Sequence, residues 1–478
     1  MQLPFSRGWL TSLIAGLLLL GACARASNPD IERGANYYFQ DGYPEVRLSA
    51  LGILNDEDQG VIAVAADIVE SSLIYREIDG ENQAVLEVEI QITGQEGTSF
   101  SETFTTQLQV QSEREAWLTR PDVIHFSKEM DSPPGDYQVT FSVTDLTSGN
   151  RAVRTTETFI PDPADNQLRL TSVRMLARDA ALDDEDVDGY LPVTTYDVST
   201  RNDSLRFVVQ VTNNRSEQPL RITSRLIQFE ADTSSARPMS FNNYTQSSLP
   251  YKGIDYSEDE VIDQTQRTLT QPGSVLIEYR YPRPDRGNYR FEVRANDSES
   301  EELFKARDFS VMGQNYPNLR TPRELAEPLI YLMDRRDHQE MLEITNPDSL
   351  KAEVDRFWLS NVGSQSQARR VISLYYERVE QANKQFTNFK EGWKTDMGMM
   401  YILFGAPWYV DTRLNEMLWS YAYDRSDPRY NFLFQRPRGV SEFFPFNNYL
   451  LMRDQSYFNI QYQQVERWLS GTILLRQL

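Results

Sequence analysis

The chain has 478 residues, a formal net charge of −22, one cysteine and two histidines. No basic stripe survives in so acidic a chain to neutralise phosphates, which argues against nucleic acid as a partner. With only His125 and His338 as imidazoles, in different stretches of the sequence, a histidine metal cage or a Ser/His/Asp triad has almost nothing to be built from. A chain of this length divides into two to four domains, and 40% hydrophobic residues suffices for real cores.

The N-terminus has the layout of a secretory signal, with Arg7 as its positive region and Trp9 to Leu20 as an apolar run. That run falls short of the roughly 20 apolar residues a spanning helix needs. Leu20-Gly21-Ala22-Cys23 resembles the lipobox of bacterial lipoproteins. The resemblance implies cleavage after residue 22, acylation of the Cys23 thiol, and a protein held on a membrane by that lipid. Ala24, where retained inner-membrane lipoproteins often carry Asp, points to the outer membrane. Loss of residues 1–22 removes Arg7 and takes the formal charge from −22 to −23, so the lipid and not a polybasic patch must supply the grip on the bilayer. It also leaves no free thiol, which removes disulfides, thiolate nucleophiles and cysteine zinc sites together.

Residues 23–35 read as a tether and 36–162 as a first β-sandwich. Leu86, Val88, Ile90 and Ile92 alternate with polar residues as in a half-buried strand. Pro161 to Asn166 is a linker rich in turn formers. A second sandwich is expected over 167–312, where Leu205, Phe207, Val209 and Val211 repeat the same period. Gly135 to Asp145 aligns without gaps against Gly287 to Asp297, each a glycine and tyrosine followed by an alternating strand. Repetition at domain-sized spacing predicts tandem sandwiches, similar to immunoglobulin-like and fibronectin-like modules. Within the second stretch, Asp184, Asp186, Asp188 and Gly189 reproduce the opening of a calcium loop, hard oxygens on alternate residues before a tight turn. The twelfth position is Thr195 rather than a bidentate Glu, so the alternatives are a calcium site of another sort and a solvated acidic loop.

After a linker from Gly313 to Pro322 the period changes to about 3.6, and residues 320–478 read as a helical and mixed α/β domain. A helix is expected from Arg323 to about Leu342, with Pro328 in its first turns or kinking it. Another follows Asn346-Pro347, with Leu350, Val354, Phe357 and Trp358 on one face. A third, of about five turns, carries Ala368, Val371, Tyr375, Val379, Ala382 and Phe386 as its stripe. Next come Gly392-Trp393-Lys394-Thr395-Asp396 and the run Tyr401 to Pro407. With Phe357-Trp358 and Tyr376 to Asn383, these motifs resemble the GWxTD domain of envelope proteins from Bacteroidota and related bacteria, over roughly residues 320–425. The sequence departs from the family at Met397, where Arg is usual, and at Ala406 and Trp408. The family carries no settled activity to transfer.

Two readings of the motif stand side by side. One is a helix-to-strand junction, in which Gly392 supplies an unusual backbone conformation, Thr395 and Asp396 bond turn amides, and Trp393 packs beneath. In the other, Trp393, Thr395 and Asp396 line a ligand or partner site. The tail is rich in aromatics, among them Trp408, Tyr409, Trp419, Phe432, Phe434, Phe443, Phe444 and Phe446, which read first as a β-rich extension packed on the helices and second, where exposed, as a protein interface or sugar-stacking platform. The function expected is that of a lipid-anchored, non-enzymatic envelope protein that binds other envelope or secretion proteins, with no cofactor beyond the calcium candidate. The alternatives are a glycan-binding envelope lipoprotein and, less favoured, a carboxylate-dependent hydrolase.

Overall fold

A computed structural model of the protein describes residues 30–33, 42–78, 81–95, 100–111, 123–179, 189–214, 219–245, 248–296, 302–413, 416–422, 430–436 and 449–476. The signal segment, Cys23, the aspartates at 184, 186 and 188, and the phenylalanines at 443, 444 and 446 lie outside them. Strand predominates among the described residues, arranged in several sheets, and the helices fall in the C-terminal part.

In the first β region, Val46–Leu54, Gly60–Val69 and Val123–Asp131 form a three-stranded sheet. A five-stranded sheet is built on Glu81–Gly94, which is flanked by Ser101–Gln111 and Gly135–Asp145. The two sheets close over one core, to which the alternating side chains of Leu86, Val88, Ile90 and Ile92 contribute. In the second β region, Leu220–Ala231, Gly287–Asn296 and Leu303–Met312 lie in one sheet, and Asn202–Asn213 is central to the other. Their shared core stacks Phe207 on Phe291, with ring centroids 4.3 Å apart. The aligned stretches of the internal repeat occupy matching inner strands, Gly135–Asp145 and Gly287–Asn296. In each the buried tyrosine, Tyr137 or Tyr289, donates its hydroxyl to the carbonyl four residues back, Pro133 or Asp285.

One strand is unexpected. Ile31–Glu32, inside the expected tether, pairs in parallel with Ala306 and Arg307 of Leu303–Met312, and Lys305 holds Asp30 at 2.8 Å.

The C-terminal part has helices α1 (Pro322–Ala326), α2 (Arg335–Leu342), α3 (Pro347–Asn361), α4 (Gln365–Phe386), α5 (Asp396–Phe404) and α6 (Tyr457–Leu469). An antiparallel sheet runs in the order Tyr409–Thr412, Glu416–Ser420, Asn431–Gln435, Leu450–Leu451. The expected helix from Arg323 to Leu342 is two helices. A capping box of Thr321 and Glu324 starts α1, a 3-10 turn at Glu327–Tyr331 takes in Pro328, and Asp334 restarts the chain by capping α2 on the Arg336 amide. Helices α3 and α4 bury most of the stripes expected of them around Trp358, Tyr375 and Trp468, with Phe357 and Phe386 only partly buried. Among the described residues no helix is long and apolar enough to cross a membrane.

His338 is buried on α2, its Nε2 3.1 Å from the Ala326 carbonyl and 3.0 Å from that of Glu327. Burial pushes its pKa below the ordinary value, although both carbonyls pull the other way. The unfolded chain takes up this proton near pH 6.5 and the folded one only at lower pH. His338 therefore costs nothing above about pH 6.5 and destabilises the fold progressively below it, until pH falls past the depressed folded value. The urea midpoint should drop between about pH 7.5 and pH 5.5, and by less in His338→Gln. Equal drops in the two proteins would contradict this.

Candidate functional site

The residues singled out by sequence are buried: Trp393 is 6% exposed, Thr395 5% and Asp396 5%. None of the three lines either of the two interdomain clefts. The motif forms a 3-10 turn, Gly392–Lys394, between α4 and α5, so it joins helix to helix and not helix to strand. The glycine is required by proximity, not by its dihedral angles. A Cβ on Gly392 would stand 2.0 Å from the Ala382 carbonyl oxygen of α4, and one on Gly398 would stand 1.9 Å from the Gly392 carbonyl oxygen. Helix α4, the motif turn and α5 thus touch backbone to backbone.

Polar atoms lock this contact. Asn383 accepts the Trp393 amide at 3.1 Å and donates to the Pro317 carbonyl at 2.9 Å. Thr395 donates to the Gly392 carbonyl at 2.8 Å and accepts the Gly398 amide at 2.9 Å, capping α5. A cap of this kind contributes about 1 kcal/mol. The Trp393 ring meets Tyr331 edge-on, and its carbonyl accepts the Tyr331 hydroxyl at 2.7 Å.

Asp396 reaches furthest. It accepts the Leu451 amide at 2.8 Å and takes Arg453 bidentately at 2.6 and 2.8 Å, with both side chains withdrawn from solvent. Burial alone would lower the Arg453 pKa, but the Asp396 carboxylate more than offsets it and the net direction is upward. The guanidinium also donates to the carbonyls of Arg237 and Pro238, and Asn243 brackets the Arg453 backbone at 2.6 and 3.0 Å. Residues 237–243 belong to the segment that leaves the second β region after Leu220–Ala231. Its Ala236 and Met239 are part of the C-terminal core.

The residues just before the motif complete the joint from the other side. Phe389 packs with Tyr196, Ile227, Phe229 and Ile254 of the second β region. Lys390 donates to the Ser234 carbonyl at 2.8 Å, and Glu391 pairs with Arg286 and with Lys394. The motif is a clasp between the helices and the second β region. Arg453, 57 residues beyond Asp396, carries no local signal that could have identified it as the partner.

Sequence reasoning also set His125 aside, and the structure gives it company. His125 Nδ1 lies 2.7 Å from Asp67, whose other oxygen accepts the Thr194 hydroxyl. These residues line a cleft of about 210 Å³ where the two β regions meet Gln314 to Arg320 and Lys384 of the C-terminal part. Thr194 donates to Asp67 rather than to the imidazole, and the trio ties the two β regions together. Among the described residues no group of three or more His, Cys, Asp or Glu could hold a metal.

Residues 290–470 match the GWxTD domain family, extending the resemblance back into the last two strands of the second β region and forward through α6. No curated protein matches the chain. Among solved structures, a red sea bream transglutaminase aligns with 57% of this chain and 32% of its own at 10% identity, with a TM-score of 0.17. A likeness that slight carries no argument.

Proposed function

We propose that this chain, whose residues 290–470 form a GWxTD domain, is a lipid-anchored, non-enzymatic module of the cell envelope that binds a protein partner through its C-terminal part. The observation that carries the reading is an exposed aromatic patch. In Trp408, Tyr409 and Val410 the relative exposures are 50%, 40% and 51%, at the start of the strand Tyr409–Thr412. Large apolar side chains held at the surface suit docking of a protein partner. Phe458 and Tyr462, 60% and 57% exposed and stacked one turn apart on α6, add to the apolar surface of this part. The motif's own side chains are bound up in the clasp and serve this reading by fixing the head in place.

The anchor is Cys23, placed in the outer membrane by Ala24. We further read the two β regions as immunoglobulin-like sandwiches, on the strength of their paired sheets and the matching tyrosine hydroxyl bonds.

The test is a photo-crosslinking residue placed at Val410 in cells. Crosslinks to one envelope protein that vanish in Trp408→Ala are expected, and an equivalent residue at Thr155, on the first β region, should give none. Silence at Val410 would sink the proposal. Glycan stacking on the same exposed rings is the second reading, and it predicts a change in tryptophan emission on titration with surface polysaccharide.

A further inference from the structure

A second cavity, of about 390 Å³, opens between the two β regions. Its walls come from Leu48 to Leu51 and Arg154 to Thr156 on one side, and from Ser172 to Met175, Val193 and Arg307 on the other. Three arginines meet there in a chain whose net charge is −22. Arg307 is only 4% exposed; one terminal nitrogen donates to the carbonyls of Val193 and Thr195, while its Nε is buried without a hydrogen-bond partner among the described residues. Arg154 donates to the carbonyls of Val46 and Val153. The Arg174 side chain makes no hydrogen bond among the described residues, and Glu129 is the charge it feels most. Among the described residues Glu32 is the one carboxylate in the cavity wall, and it accepts the Ser172 hydroxyl at 3.3 Å.

We propose that this cavity binds a small oxyanion, a phosphate- or carboxylate-bearing molecule, held by Arg174 and Arg307 with Arg154 adding charge. Guanidinium groups present planar forks that match either oxyanion and bond it in pairs. Burial lowers the pKa of Arg307, and that of Arg174 likewise, so each charge has lost more hydration than Glu32, Asp308 or Glu129 returns. Asp308 is in any case held bidentately by Arg290. An anion in the cavity supplies what these neighbours do not, and a buried donor left unpaired is costly enough to make the exchange favourable.

The experiment is isothermal titration of the full chain in detergent with inorganic phosphate and, separately, with succinate, at matched ionic strength. Saturable binding of at least one, with a Kd below about 1 mM, is expected. Phosphate alone assigns a phosphate ligand and succinate alone a carboxylate. Arg174→Met, at the position where no hydrogen bond of the fold is lost, should weaken binding about tenfold or more, and Arg174→Lys by less. No saturable binding of either probe would overturn the proposal, as would undiminished binding in Arg174→Met that unfolds at the wild-type urea midpoint.

Discussion

Asp396→Ala should destabilise the protein by about 3–5 kcal/mol, because it leaves the Arg453 guanidinium in the interior without its counter-charge. Of the two oxygens lost, one also served the Leu451 amide, so the short final strand of the C-terminal sheet loses its tie to α5. The damage should spread beyond the helices, since the same guanidinium holds the carbonyls of Arg237 and Pro238. Limited proteolysis should therefore open the segment from Ala231 to Tyr244 in the variant while sparing it in the wild type. The double variant Asp396→Ala, Arg453→Met strands no charge and should recover part of the loss in urea denaturation. A single variant that unfolds at the wild-type midpoint would mean that the pair contributes little to the clasp.

Gly392→Ala should cost at least about 3 kcal/mol, at or beyond the upper end for overpacked cores. The methyl would be driven into the Ala382 carbonyl, and neither helix α4 nor the motif turn can yield without losing the Asn383 bond to the Trp393 amide. Gly398→Ala should behave alike, since its methyl meets the Gly392 carbonyl. Gly313→Ala is the control: its Cβ would meet nothing nearer than 3.8 Å, and the change should stay within about 0.5 kcal/mol. Thermal and urea denaturation followed by tryptophan fluorescence would rank the three. Equal midpoints for Gly392→Ala and Gly313→Ala would refute the close-approach argument.

The period of a strand or helix is a local property, and where burial follows period the sequence was readable. Leu205, Phe207, Val209 and Val211 all face the core, as do Ala368, Val371, Tyr375, Val379 and Ala382 on α4. The matched repeat likewise became a matched pair of strands. Pro328 predicts a first-turn position or a kink in one helix from Arg323, and not the restart at Asp334 that makes it two. The motif was visible as a motif, whereas its physical role was not. Gly392 looks like any turn glycine until the Ala382 carbonyl is known to pass against it. Asp396 could bond a turn amide or a distant arginine with the same side chain, and only tertiary structure selects Arg453. His125 was dismissed for want of neighbours in sequence, yet Asp67 and Thr194 reach it from strands and loops far along the chain.

The strand Ile31–Glu32 bears on how the protein stands at a surface. From position 23 to position 30 there are seven peptide steps, and a fully extended chain covers at most about 3.6 Å in each, or roughly 25 Å in all. Under the acylation of Cys23 proposed above, that leash would end at the edge of the sheet containing Leu303–Met312, in the second β region, and not at the first. Order along the chain is then not order away from the bilayer. On the proposed anchor, the middle of the protein becomes its base, and the first β region and the GWxTD-matching part, which meet beside the Asp67–His125 cleft, both branch from it.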